Sequence, residues 1–121
     1  MEDLMVFARF EEATGRIWDA VQRWRPLAQD TVDKQVIRSA DSVGANLVEG
    51  DGRYSKADAL HFFIITRGSA QETCLWVKRA EQRQLLAPQE ATELLRLLAD
   101  GMRMLNNLIT YRRTTVPRPK P

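Results

Sequence analysis

Apolar residues in this chain return at steps of three and four in four separate stretches, and alternate at period two over no useful length. A 3.6-residue period places such residues on one face, so the pattern demands helices with one buried stripe each. The first stripe is Val6/Phe7, Phe10, Ala13, Ile17, Val21 and Trp24, which predicts a helix from Asp3 to Trp24 stopped by Pro26. The second is Val36, Ala40, Val43 and Leu47, on a helix expected to start at Asp30 or Thr31, either of which can cap the first turn. Gly50 stands where a left-handed cap is expected to end it. A third helix should run from Lys56 to about Arg83, opened by the capping-box spacing Ser55-Lys56-Ala57-Asp58. Pro88 suits the first turn of a fourth, whose seam is Leu94/Leu95, Leu98, Met102, Leu105 and Leu108/Ile109.

Four amphipathic helices with short connections close most simply as an all-α, antiparallel up-down-up-down four-helix bundle. Residues 1–112 make that bundle, and 113–121, with three prolines and no periodicity, make a basic tail expected to be disordered. At 121 residues there is room for one domain with a core that needs neither disulfide nor metal. The single cysteine, Cys74, excludes an intrachain disulfide, and with no signal-like start or membrane-length apolar run the expected location is the cytoplasm.

The net charge of +2 is unevenly spread. After Asp100 there are five basic residues (Arg103, Arg112, Arg113, Arg118 and Lys120) and no acid, whereas the first hundred residues carry 13 basic against 16 acidic, a net of −3. A basic end on a mildly acidic body suits phosphate or an acidic partner, or else serves only to solubilise. The third helix is apolar over more than one stripe, since Leu60, Ile64 and Leu75 lie beside the Ala59, Phe63, Ala70, Cys74, Val77 stripe. A bundle core buries one stripe per helix, so the second predicts a contact between copies.

Between Gln35 and Glu72 the chain carries polar and small residues at fixed spacing: Gln35, Arg38, Ala40, Ser42, Asn46, Glu49 and Gly50, then Gly52, Arg53 and Ser55, then Gly68, Ser69 and Glu72. This combination resembles the 23S rRNA intervening-sequence proteins, a four-helix bundle family that is itself similar to the accessory variability proteins of diversity-generating retroelements. About a third of the chain carries the specific part of the resemblance. Gly44 and Ala45 stand where the family pattern has proline and serine, and Asp41 where it has an apolar residue. The resemblance implies a barrel-like homo-oligomer, typically a pentamer, associated with RNA or DNA through positive surfaces.

Asn46, Glu49, Gly50, Gly52, Arg53 and Ser55 bracket the turn between the second and third helices. They suit either a partner-facing surface or a network that closes the turn, with Glu49 paired to Arg38 or Arg53. Capping and turn chemistry uses these residue types, which favours the network. Gly68-Ser69, with Glu72, reads as a close helix crossing, because it does not follow a strand and open a helix as a phosphate cradle does. Asp58 and His61 are spaced like half of a di-iron motif, but one histidine cannot complete it.

No phosphate loop, catalytic triad or metal-ligand set is legible, so no enzyme, cofactor or metal is expected. The expected function is that of an oligomeric, nucleic-acid-associated accessory protein. Its phosphate contacts would be Arg103, Arg112, Arg113, Arg118 and Lys120, joined by Arg38 and Arg53. The alternative is a scaffold that docks a protein partner, such as a reverse transcriptase, without touching nucleic acid.

Overall fold

The computed structural model describes residues 2–114. Helices α1 (Glu2–Val21), α2 (Lys34–Asp51), α3 (Lys56–Gln82) and α4 (Pro88–Thr114) form an antiparallel four-helix bundle. Each packs on its two neighbours, α1 on α2 and α4, α3 on α2 and α4, with the α2/α3 contact the most extensive. The core is a continuous apolar cluster whose largest fully buried members include Phe10, Leu47, Phe63, Leu97, Leu105 and Ile109. Every stripe residue predicted for α1 from Val6 to Trp24 is buried except Phe7, which packs in part against that cluster.

Two pairs of helices approach through the same device. The Phe10 ring of α1 lies on the backbone of α4 at Gly101, where an added Cβ would fall 2.6 Å from the ring. The Phe63 ring of α3 lies on α2 at Gly50 in the same way, 2.8 Å from an added Cβ. In each case a large buried ring occupies the space that any other residue would need.

Several boundaries differ from the sequence reading. Helix α1 ends at Val21, three residues short of Trp24. The second helical stretch begins earlier than Asp30 or Thr31: Pro26–Ala28 starts it, and Gln29–Asp33 follows as a π-helical turn leading into α2. Neither predicted cap acts as one, because Pro26 already suits a first turn, and the Thr31 hydroxyl donates back to the Leu27 carbonyl (2.9 Å).

Gly50 is not a left-handed cap. It lies inside α2, which continues through Asp51, and the helix ends at Gly52 with φ −79°. The left-handed residue is Gln84, at φ 62° after α3. There Gln84 N–H donates to Glu81 O (3.0 Å) and Leu85 N–H to Ala80 O (2.8 Å), the paired bonds of a Schellman turn. The capping reading of Ser55 holds, with its Oγ accepting from the Asp58 amide at 3.3 Å. Helix α4 extends through Arg113 and Thr114, two residues into the predicted tail, and 115–121 lie outside the described residues.

Candidate functional site

Of the polar residues singled out in the sequence, Glu49, Arg53 and Ser55 act at the α2/α3 turn, as an ion pair and a cap. Gln35, Arg38, Ser42, Asn46, Ser69 and Glu72 run instead along the interface between the two helices. Asn46 Nδ2 donates to the Ser42 carbonyl (2.9 Å) and to Ser42 Oγ (3.0 Å), and Ser42 Oγ lies 2.8 Å from Ser69 Oγ on α3. One turn further, Thr73 Oγ1 sits 2.8 Å from the Ser69 carbonyl and 2.9 Å from Ser39 Oγ, which reaches the Val36 carbonyl at 3.2 Å. At the far end Arg38 pairs with Glu72, whose Oε2 also accepts from Trp76 Nε1 at 3.0 Å. Gln35 Oε1 accepts from Arg38 (3.2 Å).

The spacing explains the seam. Gln35, Arg38, Ser39, Ser42 and Asn46 recur at steps of three, one, three and four on α2, beside its thin apolar stripe, and Ser69, Glu72, Thr73 and Trp76 do the same on α3. Ser39 and Thr73 are fully buried, so the seam passes from an exposed ion pair at Arg38 into the core. Mutually satisfied polar groups of this kind fix the register of two helices, which small apolar residues alone leave loose. Ser39, Thr73 and Trp76 were not picked out from the sequence. Their hydroxyls and indole sit on stripes otherwise read as apolar, and that mismatch was the available signal.

Glu49 pairs with Arg53, one of the two partners predicted for it, and Arg53 also lies over the Phe62 ring at 4.8 Å. Gly68 makes no close crossing within the subunit: it is exposed, and an added Cβ would meet nothing within 4 Å. Ser69 and Glu72 do meet α2, as described. Leu60 packs in part against the core, whereas Ile64 and Leu75, 42% and 44% exposed, face outward.

The predicted phosphate contacts are split by the fold. Arg38 lies near the start of α2, and Arg103 is on the outer side of α4 beside Asp100 (3.8 Å). Arg112 turns inward to Asp51 (3.1 Å), over the Phe63 ring at 5.4 Å, with its side chain only 13% exposed. It is a tether between α4 and α2 and not a free cation. Arg113 points away exposed, and its carbonyl accepts from Lys56 Nζ. These contacts bring Arg53, Lys56, Arg112 and Arg113 to one end of the bundle with Glu49, Asp51 and Asp58 among them. Arg118 and Lys120 lie outside the described residues. At this end Val48, Glu49, Gly52, Arg53, Tyr54 and Asp58 line an open hollow of about 540 Å³.

Reactive side chains are few. His61 is exposed and meets the Phe62 ring edge-on. Burial pushes the Cys74 thiol pKa up, with Lys78 pulling the other way, which keeps it in the poorly nucleophilic thiol form. Among the described residues no three His, Cys, Asp or Glu side chains group as metal ligands, and no helix is long and apolar enough to cross a membrane.

The family model for the 23S rRNA-intervening sequence protein matches residues 2–107. The chain belongs to this family. The match spans α1 to most of α4 and therefore contains the whole seam. Among solved structures, the chain is similar to a protein of unknown function from the S23 ribosomal protein family of Bacteroides thetaiotaomicron, with a TM-score of 0.81 and 23% identity over 91% of this chain and 99% of that one. That likeness establishes the shared fold. No curated protein matches.

Proposed function

We propose that the protein is a non-catalytic, self-associating four-helix bundle that acts as a nucleic-acid-associated accessory protein. The observation that carries this reading is the outer face of α3. Ile64 and Leu75 are exposed there although the packing face of the same helix is already filled by Ala59, Phe63, Ala70 and Val77. Gly68 lies one turn from Ile64 on that face, leaving room for a close neighbour. Assembly through this face multiplies the basic C-terminal end, with Arg113, Arg118 and Lys120 as its contacts. Several weak phosphate contacts then act as one stronger one.

The test is light scattering on a size-exclusion column, with structured RNA titrated at low and moderate salt. An oligomer is expected, with Ile64→Glu or Leu75→Glu, at the outward-facing positions, giving smaller species of unchanged helix content. RNA binding should weaken with salt and be lost from a chain ending at Thr114 that also carries Arg113→Glu. A monomer, or equal and negligible RNA binding by both chains, would sink the proposal.

A second reading, a scaffold for a protein partner, draws on a separate observation. Arg38, Arg53, Arg103 and Arg112 each already face a carboxylate of their own chain, which lowers their value to a phosphate. Co-purification from the host before and after nuclease treatment separates the two, since only a tether made of RNA is released.

A further inference from the structure

At the end of the bundle opposite Arg113, a groove of about 400 Å³ opens between the π-helical turn before α2 and the turn after α3. Its floor and walls are aliphatic: Leu27, Val32 and Leu85. Leu27 is 77% exposed, more than any other large apolar side chain among the described residues. Arg25 and Arg83 stand on the groove, and no carboxylate lines it.

The two arginines differ from their neighbours. In the adjacent groove between α1 and α4, Arg16 is paired with Glu93 (3.4 Å) and Arg23 with Glu90 (2.5 Å). Asp30, close by in sequence, is engaged by Lys34 at 3.9 Å. The guanidinium groups of Arg25 and Arg83 have no ion pair or hydrogen bond among the described residues. The walls are nonetheless well fixed. Arg83 caps α3, the Schellman bonds of Gln84 and Leu85 hold the far side, and the Thr31 hydroxyl ties the near side to the Leu27 carbonyl.

We infer that this groove docks an acidic peptide segment of a protein partner, one leucine-type side chain entering between Leu27, Val32 and Leu85 while flanking carboxylates meet Arg25 and Arg83. Charge complementarity selects the occupant: an apolar slot bounded by unpaired guanidinium groups rewards a carboxylate-flanked apolar anchor and penalises a basic one. A nucleic-acid strand fits it poorly, because the slot offers no aromatic ring for a base to stack on. The inference needs neither the assembly nor the RNA binding proposed above.

The probe is a fluorescein-labelled synthetic peptide with two leucines four residues apart, flanked by glutamates, titrated into the full chain and followed by anisotropy. Binding should be saturable and weaken with salt. Arg25→Glu with Arg83→Glu should weaken it about tenfold, from two lost surface charge contacts and their reversal. Leu27→Ser should weaken it by a similar factor through lost apolar burial. All three positions are exposed, so thermal melts should match the parent, and RNA affinity should be unchanged. Four outcomes would overturn the inference: no binding by the parent chain; equal binding of a lysine-flanked peptide; loss of RNA binding in the double variant; or a smaller assembly on Leu27→Ser, which would make a second copy the occupant.

Discussion

Thr73 of α3 and Ser39 of α2 meet at 2.9 Å, Oγ1 to Oγ, in a place where neither is reached by solvent. Each hydroxyl also has a backbone carbonyl of its own helix within reach, Ser69 O for Thr73 and Val36 O for Ser39. Removing one partner therefore does not strand the other. Ser39→Ala and Thr73→Val should each cost only about 1 kcal/mol, the low end of what an orphaned buried hydroxyl costs. A double-mutant cycle by urea unfolding should give a coupling under about 1 kcal/mol. A single substitution costing several times as much would show that the carbonyls are no substitute.

Gly50, in the last turn of α2, and Gly68, midway along α3, should respond oppositely to alanine. At Gly50 the new Cβ would lie 2.8 Å from the buried Phe63 ring, which has no space to retreat, so Gly50→Ala should destabilise by roughly 1–3 kcal/mol. At Gly68 nothing stands within 4 Å, and alanine's better helix propensity should stabilise the subunit by roughly 0.5–1 kcal/mol. Thermal denaturation of both variants checks the contrast. If Gly68→Ala instead disrupts assembly, the outer face of α3 is a tight contact between copies.

The same pair shows what a sequence can and cannot convey. Periodicity located the four helices because a buried stripe is a local property, legible from residues three and four apart. What stands opposite a glycine is not local: Phe63 is 13 residues from Gly50, and Gly101 is paired with Phe10 from the other end of the chain. The seam was half legible for that reason. Ser42, Asn46, Ser69 and Glu72 stood out by type, but their role as an interface appeared only when Ser42 was found against Ser69. The expected turn network reduces to Glu49 with Arg53 and the Ser55 cap.

Gln84 adopts φ 62° without being glycine or asparagine, a conformation that crowds its Cβ. Because the Schellman bonds on either side need that conformation, Gln84→Gly should keep the turn and relieve the crowding. Part of the gain is offset by glycine's greater freedom in the unfolded chain. The expected net is a stabilisation of about 0.5 kcal/mol, read as a small rise in melting temperature. Gln84→Val should move it the other way, since a β-branched residue resists positive φ.

Cys74 should react slowly with a soluble disulfide reagent at pH 8. Burial raises its pKa, so less thiolate is present than for an open cysteine, and partial cover by the core slows approach further. The rate should climb toward that of a small free thiol as urea unfolds the chain. A fast reaction in the native state would mean that the α3 face opens readily.

Arg112 and Arg113 are adjacent, identical in type, and separated by about 100° around α4, which is enough to give them different work. Arg112 turns into the bundle, pairs with Asp51 and covers the Phe63 ring, which itself rests on Gly50. Arg113 is exposed, and its backbone carbonyl accepts from Lys56 Nζ while its guanidinium has no ion pair among the described residues. Arg112→Ala should therefore lose packing, a cation–π contact and an ion pair together, at roughly 1–2 kcal/mol. Arg113→Ala should leave stability unchanged and, if the basic end holds nucleic acid, weaken that binding and reduce its salt dependence. Measuring both variants by urea unfolding and by RNA titration separates a structural arginine from a binding one. The reverse pattern, with Arg112→Ala sparing stability while abolishing binding, would return Arg112 to the surface and undo its assignment as a tether.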